Sequence, residues 1–185
     1  MRNDASQYTD QELCVLLREQ GTSADAAFAE IYSRYSSRLH AYCVKILRDY
    51  DEAADIFQET LIRFVQSVRD NKEITNVPAY LLRIARNLCL NAKRDKKLTT
   101  EPLDYMLVSE DRSYEKKQLL DLIDDALNKL SDEYKEAFVL REYDGFSYQE
   151  IAEITGLSLS NVKIRVVRAK NQIRELLHPY IKELL

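Results

Sequence analysis

Apolar positions recur at three- and four-residue spacing along nearly the whole chain, the period of amphipathic helices rather than of strands. Thr9 with Glu12 makes a capping box that opens a short first helix, and Gly21 is placed to end it. A second helix is expected from about Ala24 to Arg48, with Phe28, Ile31, Tyr35, Leu39, Tyr42 and Ile46 turned inward. A third, from about Asp51 to Val68, buries Phe57, Leu61, Phe64, Val65 and Val68. The polar run "RDNKEITN" interrupts the pattern. Pro78 then suits the first turn of a fourth helix, which carries Leu81, Ile84 and Leu88 to about Lys93. Periodicity lapses from Lys96 to about Arg112, with Pro102 inside the gap. It resumes in a helix from Leu119 to Leu130, and in another capped by Ser131 with Asp132 and Glu133 in its first turn. Past Asp144-Gly145 a second capping box, Ser147 with Glu150, opens a final pair of helices. The pattern predicts an all-α fold: two small helical domains, 1–95 and 115–185, joined by a flexible acidic linker over 96–114.

Composition narrows this further. Three Gly, three Pro and no Trp among 185 residues leave few tight hairpins, which excludes an all-β fold. Two domains of roughly 70 residues each have a marginal core and gain from docking on a partner. The N-terminal "MRNDASQYTDQEL" has no apolar leader, and no run approaches the roughly 18 apolar residues that span a bilayer. A soluble, cytoplasmic chain without membrane insertion is expected. Cys14, Cys43 and Cys89 are odd in number, widely spaced and set in apolar helical patterns, so they read as buried packing or surface thiols rather than metal ligands or catalytic groups. His40 and Cys43 offer two metal ligands, but nothing completes a site. With two His, no nucleophile motif and no Gly loop to cradle phosphate, no catalytic residue, metal or cofactor is expected, and the chain reads as a non-enzyme.

Charge is unevenly distributed. The net formal charge is −4, and residues 101–125 alone hold eight acids against three bases. Between Glu153 and Glu175 the balance reverses: Lys163, Arg165, Arg168, Lys170 and Arg174 occur with no acid. The same stretch has the spacing of a helix-turn-helix, with Ala152 where the helices cross, Gly156 in the turn and Val162 on the second helix. Val162, Val166, Ala169 and Ile173 face inward. Asn161, Lys163, Ile164, Val167, Arg168 and Gln172 lie on or near the outer side, where bases in the N-terminal half reach base edges and phosphates, with Arg165, Lys170 and Arg174 flanking for phosphates. A second basic run, Arg86 to Lys97, holds five bases and one acid. A cationic reader on an acidic body points to a partner that brings it to DNA.

These residues resemble a family. "LSDEYKEAFVLREYDGFSYQEIAEITGLSLSNVKIRVVRAKNQIREL" is similar to the −35-binding domain of bacterial sigma factors, above all of the extracytoplasmic-function (ECF) group of the sigma-70 family. "FAEIYSRYSSRLHAYCVKILRDYDEAADIFQETLIRFV" resembles the family's polymerase-binding helices, and "PAYLLRIARNLCLNAKR" its −10-reading helix. Together they cover about residues 24–95 and 115–178. The resemblance implies an alternative sigma factor that binds core RNA polymerase and directs it to promoters. Residues 1–95 would form a sigma-2-like domain and 115–185 a sigma-4-like domain.

The resemblance also implies roles. Asp55, Gln58, Glu59 and Arg63 would face the β′ clamp helices, and the β flap would be a second polymerase contact. The loop from Arg69 to Asn76 would capture a base flipped from the −10 strand, with Asp70, Asn71, Lys72 and Asn76 offering hydrogen bonds. Tyr80 would stack or simply pack, and Arg83, Arg86, Asn87, Lys93 and Arg94 would track the backbone. Ser160, Asn161, Lys163, Ile164, Arg165, Val167, Arg168 and Lys170 would meet the −35 duplex. An anti-sigma factor is a further implied partner. Tyr80 stands where the family usually has Trp, and Ser160-Asn161 where it has Gly-Thr. A linker of about 17 residues reaches roughly 55 Å extended, more than one DNA turn of about 34–36 Å, so one chain spans two promoter elements. The alternative is an autonomous helix-turn-helix regulator whose N-terminal helices sense a ligand or dimerise. The Asp55–Gln58 block and the Arg86–Lys97 patch discriminate, because a sensor domain needs neither.

Overall fold

The computed structural model describes residues 5–19, 21–97 and 114–184, and among them the secondary structure is helical without a strand. The chain divides into two compact units, Met1–Leu103 and Asp104–Leu185.

Among the described residues the first unit has four α-helices: α1 (Asp10–Arg18), α2 (Thr22–Leu47), α3 (Tyr50–Arg69) and α4 (Val77–Lys97). Local side-chain bonds set where each begins. The capping box of α1 is reciprocal, with the Thr9 amide donating to Glu12 Oε2 at 2.7 Å and the Glu12 amide to Thr9 Oγ1 at 3.3 Å. Asp49 accepts from the Glu52 amide at 3.0 Å to open α3. Gly21 does not end α1, which stops at Arg18. It precedes α2 instead, at φ +94°, where any side chain would be strained. Helix α4 passes the expected end near Lys93 and continues to Lys97, into the span read as linker. Most of that linker lies outside the described residues.

Leu13 and Leu17 from α1, Ile31, Leu39 and Tyr42 from α2, Phe64 and Val68 from α3, and Leu81, Ala85 and Cys89 from α4 form a sealed core. Cys14 and Cys43 are buried free thiols as well. Phe28, Tyr35, Phe57 and Val65, expected inside, are only half-buried. They occupy the margin of the apolar stripe. Phe57 meets Tyr32 and His40 edge-on at centroid distances of 6.0 and 5.6 Å. Tyr35 turns its hydroxyl to Asp10 Oδ2 at 2.5 Å; burial, and then this bond, push its pKa well up. Arg34 of α2 completes the fastening of α1, donating to Asp10 Oδ1 at 2.9 Å and to the carbonyls of Tyr8 and Ser6 at 2.9 and 3.1 Å.

The second unit comprises α5 (Tyr114–Lys129), α6 (Asp132–Phe138), α7 (Tyr148–Thr155) and α8 (Leu159–Leu184). The helix expected from Ser131 to near Asp144 is α-helical only to Phe138 and continues as a π-helical turn over Val139–Tyr143. Ser131 precedes it in an extended conformation, but its side chain makes no capping bond; the carbonyl alone serves, accepting from the Lys135 amide at 2.9 Å. Ala126 and Leu127 of α5, with Leu130 just beyond its end, pack with Ala169 and Ile173 of α8. Leu140, Ile151, Val162 and Val166 are fully buried.

Candidate nucleic-acid interface

The helix-turn-helix is built by three local devices. Ser147 and Glu150 cap α7 reciprocally, at 3.2 Å for the Glu150 amide and 2.8 Å for the Ser147 amide. Gly156 terminates α7 in the left-handed region at φ +73°, its amide donating to the Ala152 carbonyl at 2.8 Å. Ser158 then opens α8, which begins at Leu159, by taking the Asn161 amide on Oγ at 3.3 Å. The turn is further held by Arg141, which donates to the Phe146 carbonyl at 2.7 Å and lies over the Tyr148 ring at 4.7 Å.

Helix α8 is sharply two-faced. Val162, Val166 and Ala169 are 0% exposed, whereas Ile164 and Val167 are 48% and 53% exposed. Ser160, Asn161, Lys163 and Arg168 are exposed beside them. A helix with its inner face sealed and its N-terminal outer face open is what a major groove accepts.

The bases divide into distinct settings that the run of sequence did not show. Arg165 pairs with Glu133 of α6 at 3.0 Å, and Lys170 with Glu142 of the π-helical turn at 2.7 Å. Arg168 donates to the Tyr134 hydroxyl at 3.1 Å, and Arg174 to Asn171 Oδ1 at 3.1 Å. Lys163 has no such partner among the described residues. The acid-free stretch is therefore not acid-free in space. The cationic face keeps Lys163, Arg168 and Arg174 without a carboxylate partner, while Arg165 and Lys170 are paired with carboxylates from α6 and the π-helical turn.

In the first unit, Asp55 and Gln58 lie exposed on α3, while Glu59 and Arg63 are bound to one another at 2.6 Å, one helical turn apart. An open groove of about 490 Å³ is lined by Glu59, Arg63, Gln66, Ser67, Asp70, Tyr80, Ile84 and Asn87. It joins two sets expected separately, Glu59 and Arg63 from the polymerase-facing helix and Asp70, Tyr80 and Asn87 from the −10 reader.

Several loop residues are also structural. Asn71 sits in the left-handed region at φ +58° as the terminating residue of α3: its amide donates to the Val68 carbonyl and the Lys72 amide to the Ser67 carbonyl, both at 3.1 Å. This double bond pattern is a Schellman stop, in which Asn substitutes for Gly. Asn76 caps α4, its Oδ1 accepting from the Ala79 amide at 3.0 Å. Asp70 and Lys72 remain exposed. Tyr80 is half-buried, 3.0 Å from Ser67 Oγ through its hydroxyl, with Lys72 Nζ and the Arg83 guanidinium 5.1 and 5.2 Å from its ring centre. Burial raises its pKa, but Ser67, Lys72 and Arg83 together outweigh this and hold it below the ordinary phenol value.

Arg83 and Asn87 are exposed on α4, and Arg86 and Lys93 half-buried. Arg94 stands 3.6 Å from Asp95, and Lys96 is taken up by Asp49 and Glu52 at 3.0 and 2.9 Å. The basic run on α4 is thus thinner in space than in sequence.

Residues 31–99 match the family Sigma-70 region 2, and residues 120–173 the family Sigma-70, region 4. The ECF RNA polymerase sigma factor EcfG of Rhodopseudomonas palustris (strain TIE-1) is 31% identical over 143 residues, covering 76% of this chain and 79% of its own length. The chain belongs to the ECF sigma factors. SigW, an ECF RNA polymerase sigma factor of Bacillus subtilis (strain 168), is 29% identical over 169 residues, with 80% of this chain and 88% of SigW covered. Among solved structures, the sigma factor RpoE from Bartonella quintana, crystallised with the anti-sigma factor NepR, is similar at TM-score 0.68 and 28% identity, over 82% of this chain and 96% of that one. The all-α fold and the alternative-sigma reading of the sequence stand on these matches. The helix-turn-helix lies inside the region 4 match and the α3–α4 groove inside the region 2 match. Helix α1 lies before both.

Proposed function

We propose that this ECF sigma factor binds core RNA polymerase through α3 and directs it to two-element promoters. In this reading 1–95 acts as the sigma-2-like part and 115–185 as the sigma-4-like part. Helix α8 reads the −35 duplex and the α3–α4 groove takes up the melted −10 strand. The observation that carries this is a chain with two separately packed units, each with its own surface suited to nucleic acid. One is a helix with a sealed inner and open outer face. The other is a polar groove with an aromatic ring at its side.

On α8, Asn161, Lys163, Ile164, Val167 and Arg168 are the exposed candidates for base edges, with Ser160 at the helix start. Arg165 and Lys170 flank the groove toward the phosphates, each with its charge shared with Glu133 or Glu142. In the groove, Asp70 and Asn87 present hydrogen-bonding groups to an extruded base, whose removal from the stack costs a few kcal/mol. The Tyr80 ring is packed by Phe64, 6.4 Å between centres, which supports packing over free stacking. Lys72, Arg83, Arg86, Lys93 and Arg94 supply charge for the strand backbone, and Asn71 and Asn76 act by shaping the loop. Asp55 and Gln58, exposed beside the self-paired Glu59 and Arg63, are the first contacts for the β′ clamp helices, with the β flap assigned to the second unit. The chain performs no covalent chemistry and needs no cofactor; it works by differential binding, in the cytoplasm. Among the described residues no helix is long and apolar enough to cross a membrane. An anti-sigma partner is supported by the RpoE–NepR complex.

Run-off transcription on pooled genomic fragments with core polymerase tests this. Discrete transcripts that need both components are expected, and Asp55→Arg should abolish them and weaken co-elution with core while the fold persists. No transcript, together with fragments retained by the chain alone, would instead establish an autonomous regulator.

A further inference from the structure

Helix α1 precedes the residues matched to region 2, yet its last residue reaches the loop that the −10 reading depends on. Arg18 Nε donates to the Val68 carbonyl at 3.2 Å and Nη2 to the Lys72 carbonyl at 3.4 Å. The first acceptor lies in the last turn of α3, where it already takes the Asn71 amide and where a cation is favoured by the helix dipole. The second lies in the loop itself, one residue beyond the left-handed Asn71. The guanidinium fork is planar and presents both donors in fixed relation, so it ties helix end and loop as one unit.

The tie is anchored at its own base. Leu13, Cys14 and Leu17 bury the inner face of α1, and Asp10 fixes its first turn to Arg34 and Tyr35 of α2. Beyond Lys72 the loop runs to the buried Ile74 and then to the cap at Asn76. Lys72 Nζ in turn lies 5.1 Å from the centre of the Tyr80 ring, on the wall of the groove.

We propose that Arg18 is a positioning residue for the −10 reader: it sets the path of residues 70–72 and thereby the shape of the groove that receives the flipped base. This rests on the reading of that groove given above. Helix α1 is then part of promoter recognition rather than only a cover for the core.

The test uses holoenzyme assembled with full-length chain, and single-stranded −10 oligonucleotides that carry the native base or an abasic site at the flipped position. Arg18→Met keeps the apolar stem and removes both donors; Arg18→Lys keeps the charge and loses the fork. Wild type prefers the native base. Arg18→Met should lower that preference about tenfold, by the loss of hydrogen bonds to a loop that must hold one shape. Arg18→Lys should lower it about threefold, since an ammonium restores one contact. Core binding should stay within about twofold for both, since neither carbonyl belongs to the Asp55, Gln58, Glu59 and Arg63 surface proposed to meet polymerase. A purely structural role would weaken both oligonucleotides alike and leave the preference intact, and that result overturns the assignment. Should Arg18→Met not fold, unchanged discrimination by Arg18→Lys overturns it equally. A wild type indifferent to the base overturns the groove reading itself, a result distinct from wild-type-like variants.

Discussion

Replacing Glu133 and Glu142 together by Gln should steepen the salt dependence of −35 duplex binding. The two carboxylates sit 3.0 Å from Arg165 and 2.7 Å from Lys170, on the helix that carries the groove-facing residues. A base already neutralised by a protein carboxylate displaces fewer counterions from DNA than one that arrives bare. With slope about −0.9 per phosphate neutralised, Lys163, Arg168 and Arg174 alone give roughly −2.7, whereas all five bases give roughly −4.5. Raising salt fourfold, from about 50 to 200 mM, then weakens wild type roughly 40-fold and the double variant roughly 500-fold. The difference between slopes, about 1.8, is the robust quantity, because any further base near the duplex adds equally to both. Fluorescence anisotropy of a labelled −35 duplex, titrated with full-length chain at several salt concentrations, reads it directly. Thermal stability should barely move, since Glu133 is largely exposed and exposed pairs contribute little. Parallel log–log lines for the two proteins would refute the reasoning and show that both pairs dissolve at no cost when DNA arrives.

Ile151 is 0% exposed between the helices of the reader, so Ile151→Ala should destabilise the second unit by about 2–5 kcal/mol. Hydrogen exchange should show faster exchange in α7 and α8 with α2 and α3 unchanged; loss of protection in both units alike would contradict two separately packed cores. Asp49→Asn keeps a good N-cap while removing a titrating group. The Asp49 carboxyl is held below its ordinary value of 3.8, first by the Glu52 amide and then by Lys96. Its contribution is therefore complete above 3.8 and lost as pH falls through the lower folded value. Wild type should melt higher than the variant near neutral pH, and the gap should close as pH falls below 3.8. A gap constant down to the most acid condition would mean the charge is irrelevant.

The features legible in the sequence are those whose partners lie within a helical turn. Capping boxes at Thr9–Glu12 and Ser147–Glu150, the Gly156 stop and the inward row Val162, Val166, Ala169 and Ile173 each depend on spacings of three or four residues, and spacing is what a sequence displays. Even locally, competing uses of one residue type mislead: Gly21 precedes a helix rather than ending one, and Asn71 and Asn76 shape the backbone where hydrogen bonds to a base were expected. What only the tertiary structure decided is which charges meet. Arg168 finds Tyr134 across 34 residues, and Arg18 finds Val68 and Lys72 across 50 and 54. Such pairings follow from how helices pack, which side-chain period alone does not specify. The sequence by itself therefore determined the helices, the helix-turn-helix and the family resemblance. Packing decided that two of the five bases on α8 are paired with carboxylates, that the groove between α3 and α4 gathers residues from two expected sites, and that the first helix reaches the loop after α3. The physical reason is common to all three: a long charged side chain is placed by the helix that carries it, and its partner by a different one.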